Sequence, residues 1–160
     1  MSSEFDTVLP SPTTGPVHTP APAHHFRVQL SSTLRGARLA RLLVEQQLEE
    51  WGLPRTVPVT RAVVAVTAEL SANAVTHGRT PGRDFEVCLT LTEAHVRVEA
   101  SDTRPDRLPP LPDATTPAVS PPPDTATTGR GLLLVDAFAT HWGCERRSTF
   151  VKTVWAEVSR

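Results

Sequence analysis

The segment "ELSANAVTHG" (69–78) carries a carboxylate, an amide and an imidazole at even spacing: Glu69, Asn73 and His77. Four residues apart on a helix, they stack along one line. Val59, Val63, Val66, Leu70, Ala74 and His77 share one side at about 100° per residue, which makes that side a core stripe. Glu69 and Asn73 run along its rim. Polar groups beside a core are costly unless partnered. A ligand would partner them, and so would a salt bridge or cap to a neighbouring loop; spacing alone leaves both open. His77, in the last turn, can also simply complement the helix C-terminus.

Two further marks have the same double character. In "HVRVEASD" the parity of Val96, Val98 and Ala100 aims Asp102 at the core layer, where the strand ends. An ionised carboxylate only accepts hydrogen bonds, which suits reading a ligand's amino group. An Asp near a proline is equally a common turn opener. In "TGRGLLLV" (128–135), Gly129 and Gly131 let backbone N–H groups approach a ligand, and the following helix presents its positive end. That is a phosphate-binding arrangement in physical terms, and it is also an ordinary helix start. Neither G-x-G-x-x-G nor G-K-[ST] occurs.

The elements that must position these groups follow from periodicity. "HHFRVQL" (24–30) alternates as a strand. From Ser32 to Trp51 a helical stripe holds Leu34, Ala37, Val44, Leu48 and Trp51, and Gly52 with Pro54 stops it. A second helix follows Pro58 and ends at Gly78. "DFEVCLTL" and "HVRVEASD", parted only by Thr92, Glu93 and Ala94, form an antiparallel hairpin. A proline cluster runs from Pro105 to Pro123, then a helix over "GRGLLLVDAFA" and strands near 141–146 and 150–158. Residues 1–23 read as a disordered Ser/Thr/Pro-rich tail, and 24–160 as one domain. The order β-α-α-β-β-loop-α-β-β predicts an α/β (α+β) two-layer sandwich, with a mixed, mostly antiparallel sheet and helices on one face. More than twenty aperiodic residues inside a domain predict a lid or functional loop at about 103–128.

Composition narrows the classes. A net charge of -1 without a basic block gives no electrostatic reason for nucleic-acid binding. No apolar run reaches membrane-span length, and no basic-then-apolar leader is visible, so a cytoplasmic protein is expected. Cys88 and Cys144 lack metal-ligand spacing and read as buried free thiols, with a disulfide left open.

Taken together and in order, the three marks resemble the GHKL (Bergerat-fold) ATPases. "ELSANAVTHG" is similar to their N box, "ASDTRP" stands at the first glycine box and "TGRGLLLV" at the second. "KTVWAEV" matches the closing strand of small bacterial members. The closest resemblance is to anti-sigma factor serine kinases of the RsbW-like, histidine-kinase-like group, in the actinobacterial style. That resemblance implies ATP and Mg2+ as cofactors and the long loop as an ATP lid. It implies Glu69 as general base, Asn73 as Mg2+ ligand, and Asp102 as acceptor from the adenine amino group. Gly129, Arg130, Gly131 and Leu132 would wrap the phosphates, Thr153 would assist Asp102 through a water, and His77 would support the site. It further implies a serine/threonine kinase that phosphorylates an anti-sigma antagonist and sequesters a sigma factor, with homodimerisation plausible. The first glycine box departs from the family's D-x-G-x-G, reading Asp102-Thr103-Arg104-Pro105. The stiffer turn keeps an alternative open: a nucleotide-sensing module that binds a partner without phosphoryl transfer.

Overall fold

The computed structural model describes residues 24–103 and 127–160. The expected tail (1–23) and most of the expected lid lie outside the described residues. The elements are β1 (His24–Ser31), α1 (Leu34–Glu50), α2 (Pro58–His77), β2 (Asp84–Leu91), β3 (His95–Asp102), α3 (Thr127–Phe138), β4 (His141–Arg146) and β5 (Lys152–Ser159). The strands form one sheet in the order β1-β2-β3-β5-β4. All four pairings are antiparallel, so the described sheet is not mixed. The three helices make the second layer, an α+β sandwich.

Local chemistry explains the boundaries that matter for the site. Thr33 caps α1, its Oγ1 accepting from the Gly36 N–H at 3.0 Å. Gly52 turns the chain out of α1 at φ +80°, a conformation that glycine enters without steric cost. Pro58 opens α2 at a position where a missing N–H costs nothing. The Thr60 hydroxyl ties that first turn to the Leu53 carbonyl at 3.0 Å.

The core lies between α2 and the inner sheet face. Val63, Val66 and Leu70 of α2 meet Val96 and Val98 of β3 and Ala156 of β5, all 1% exposed or less. Two members of the expected α1 stripe depart from it. Leu34, the first residue of α1, is 76% exposed, at the margin of the buried face about 75° around the helix from the mean direction of Ala37, Ala40, Val44 and Leu48. Trp51 is only half-buried and stacks on His24, ring centroids 5.3 Å apart.

Cys88 and Cys144 are both free, and Cys144 is half-buried rather than buried. They sit on opposite faces of the sheet, on β2 and β4. Three strand spacings part those strands, about 14 Å, which is beyond disulfide reach. Burial raises both thiol pKa values, that of Cys88 to about 11 with Glu86 adding to the effect.

Candidate functional site

The site is built on α2. Its apolar stripe from Val59 to Ala74 is buried as expected, which turns Glu69, Asn73 and His77, all half-buried, along the edge of the helix. His77 departs from the core stripe, because α2 ends there and the core does not extend past Ala74 and Val75. Among the described residues, Glu69 makes no salt bridge or hydrogen bond to another side chain. Nδ2 of Asn73 is buried and has no hydrogen-bond partner. Orphaned buried donors are rare because each carries its full desolvation cost. A 180° rotation of the amide would present Oδ1 instead, so this end of Asn73 can serve an anion or a cation.

Asp102 closes the site at the C-terminal end of α2. It is 4% exposed, on the inner face of β3 with Val96, Val98 and Ala100. The backbone cap of α2, Gly78 N–H to Ala74 O at 3.0 Å, sets Gly78 directly against it. A Cβ on Gly78 would fall inside the Asp102 carboxyl group, so this glycine is required by close approach rather than by its φ of -98°. At 1.5 Å per residue, Asn73 stands about 7–8 Å and Glu69 about 13–14 Å up the axis from that point. The Asp102 carboxylate at the end of α2, the unpartnered Asn73 amide and the Glu69 carboxylate therefore follow one another along the direction of the helix.

Lys152 was not expected here. The β3–β5 register pairs it with Asp102, and its Nζ lies 3.4 Å from Oδ2 with both side chains almost wholly buried. The same register corrects the expectation for Thr153. Thr153 is fully buried but on the opposite face, where its hydroxyl bonds that of Ser101 at 2.7 Å. It therefore does not stand beside Asp102. β5 is apolar on both faces, which hid the parity: Val154, Ala156 and Val158 line the inner face, and Trp155 lies outward beneath the Arg97 guanidinium at 4.1 Å. Counting back from Val158 puts Lys152 inward, and that was the available signal.

Thr127 opens α3, which packs on α2, so the helix starts ahead of the glycines rather than at them: Gly129 and Arg130 fall in its first turn and Gly131 just beyond it. The opening N–H groups of a helix lack intrahelical acceptors. Leu132 is buried at 5% exposure and Val135 fully, anchoring that turn. A cleft of about 430 Å³ opens at the end of the sheet among Gln29, Arg83, Glu86, Ser101 and Arg147. Among the described site residues it reaches Asp102 alone, so it is separate from the line on α2.

A sequence profile for the histidine kinase-like ATPase domain matches residues 30–156. The fold is similar to that of the RsbU and RsbW domains of Rv1364c from Mycobacterium tuberculosis, at 19% identity and a TM-score of 0.59. The match covers 88% of this chain and 34% of that one. No curated protein matches the sequence. Three helices on an antiparallel sheet agree with this match: the chain belongs to the histidine kinase-like ATPase domain family and has a GHKL, RsbW-like fold.

Proposed function

We propose that the chain binds ATP with Mg2+ and phosphorylates a serine or threonine of a partner protein, acting as an anti-sigma factor whose substrate is an anti-sigma antagonist. The observation that carries this reading is the orphaned buried amide end of Asn73, in line with Glu69 on the helix that seats Asp102. Among the described residues no group of three His, Cys, Asp or Glu could hold a metal. A cation at Asn73 would draw its remaining ligands from phosphate and water, as Mg2+ commonly does. When bound, Mg2+–ATP supplies the phosphoryl group and the neutralising charge.

The chain's own residues do the rest. Asp102 accepts a hydrogen bond from the adenine amino group. The first turn of α3, which holds Gly129 and Arg130, offers backbone N–H groups to the phosphates. Glu69 takes the proton of the attacking hydroxyl, and its half-buried place at the rim of α2 leaves it within reach of a partner's side chain. The RsbW-like fold supports a partner-switching role with a sigma factor and its antagonist, in the cytoplasm. Homodimerisation belongs to the same reading. Transfer of labelled γ-phosphate to candidate antagonists tests it. Glu69→Ala should lower transfer by roughly 10²–10⁴-fold with ATP binding retained, and undiminished transfer would remove Glu69 as the base.

A second reading is a nucleotide-sensing module that holds its partner without transfer. The altered turn Asp102-Thr103-Arg104-Pro105 and the Lys152–Asp102 pair favour it. Tight ATP binding by calorimetry, with no transfer to any candidate antagonist, would decide for it.

A further inference from the structure

Lys152 and Asp102 occupy the last rung of the β3–β5 ladder and face the helix layer together. Their exposures are 2% and 4%, and Nζ lies 3.4 Å from Oδ2. A carboxylate alone can only accept, so it welcomes a 6-amino group and opposes a 6-oxo group. An ammonium has three donors and no acceptor. Side by side, the two present an acceptor and a donor to the same edge of a ligand. The edge of a 6-aminopurine offers the complement, an N6–H donor beside the N1 acceptor. A 6-oxopurine offers the reverse order, the O6 acceptor beside the N1–H donor, so a pair placed to read adenine sets its carboxylate against O6 and its ammonium against N1–H.

We propose that Lys152 is a second base-reading residue, donating to N1 of adenine while Asp102 accepts from its N6–H. The site therefore selects 6-amino over 6-oxopurine triphosphates. This rests on the nucleotide-binding reading above and adds the base selectivity of that site. Three features of the fold support it. The register fixes Lys152 on the same face as Asp102. Gly78, lacking a Cβ, lets the carboxyl group lie against the end of α2, so the acceptor has a defined position. Burial makes any mismatch expensive, because a desolvated donor facing a C–H group loses its hydrogen bond without recovering water.

The test is calorimetric titration of the full chain, with Mg2+, against ATP, 1-deaza-ATP, 7-deaza-ATP, GTP and ITP. ATP should bind at least about tenfold more tightly than 1-deaza-ATP, which lacks the N1 acceptor, and 7-deaza-ATP should match ATP. GTP and ITP should bind at least about a hundredfold more weakly than ATP, since O6 then faces the carboxylate and N1–H the ammonium. In Lys152→Met the 1-deaza penalty should vanish and the preference for ATP over GTP should shrink, because only the mismatch at Asp102 remains. The wild-type arm stands alone should the variant not fold. Equal binding of ATP and 1-deaza-ATP by the wild-type chain would overturn the role of Lys152, as would binding of GTP or ITP within about tenfold of ATP. Failure to bind any nucleotide would instead remove the nucleotide-binding reading itself, and this proposal with it.

Discussion

Gly78→Ala isolates the contact between α2 and Asp102. The backbone at Gly78 has φ -98° and ψ 1°, which alanine can adopt, so the substitution adds no left-handed strain. Its effect is steric: the new methyl group would occupy the volume of the Asp102 carboxyl group. That carboxylate cannot simply retreat, because it is 4% exposed and pairs with the buried Lys152 ammonium. Overpacking of this kind costs about 1–3 kcal/mol, or a Tm lower by roughly 3–12 °C for a chain of this size. Displacing the carboxylate also removes a charge-assisted hydrogen bond to the base, about 1.5–3 kcal/mol, so ATP affinity should fall roughly 10- to 150-fold. Thermal unfolding and calorimetric titration measure the two effects. Gly52→Ala is the control. Its φ of +80° costs about 1–2 kcal/mol with alanine, yet nothing lies within 4 Å, so stability should drop and ATP affinity should hold. Wild-type Tm and affinity in Gly78→Ala would refute the steric argument and the position assigned to Asp102.

Asn73→Ala removes a buried donor that has no partner, so the nucleotide-free protein should keep its Tm or gain up to about 1 kcal/mol, while the Tm rise on adding Mg2+–ATP disappears. Asp102→Asn takes the carboxylate away from the buried Lys152 and should cost about 3–5 kcal/mol in denaturant unfolding, unlike Asn73→Ala. The Cys88 thiol, pushed from 9.0 to about 11 by burial and then by Glu86, stays protonated in the folded chain where the unfolded chain ionises. Its contribution to stability is thus complete below pH 9 and is lost as pH rises to about 11, and Cys88→Ala should flatten unfolding scans across that window.

Much of this architecture is legible before any coordinates. α2 announces itself through Pro58, a stripe of Val, Leu and Ala, and Gly78, and strict alternation in β3 gives the direction of Asp102. Parity fails where both faces of a strand are apolar. In β5, Val154 and Trp155 read equally well as core, so Thr153 took the place that Lys152 holds. Leu34 failed for a different reason, since periodicity gives the centre of a buried stripe and not its width, and Leu34 lies at the margin. The strand order, with β5 between β3 and β4, has no local signature because it rests on pairings between residues about sixty positions apart. Gly78 looked like a helix stop, and its second requirement exists only once β3 is folded against it.

The helix α2 carries core and site on one rod. Val66 and Leu70 are buried against the sheet, and Glu69 and Asn73 lie between and beyond them in the same two turns. A side chain reaches about 5–6 Å from the helix axis, so a 20° roll of α2 would carry those polar tips about 2 Å. Displacements of 1 Å at reacting groups already cost about a hundredfold in rate. The volumes at Val66 and Leu70 therefore set where the Glu69 carboxylate and the Asn73 amide stand, the two groups to which the proposed function gives the proton and the phosphates. Conservative core exchanges at these two positions become adjustments of catalytic geometry, detectable in transfer rates before they register as a change in Tm.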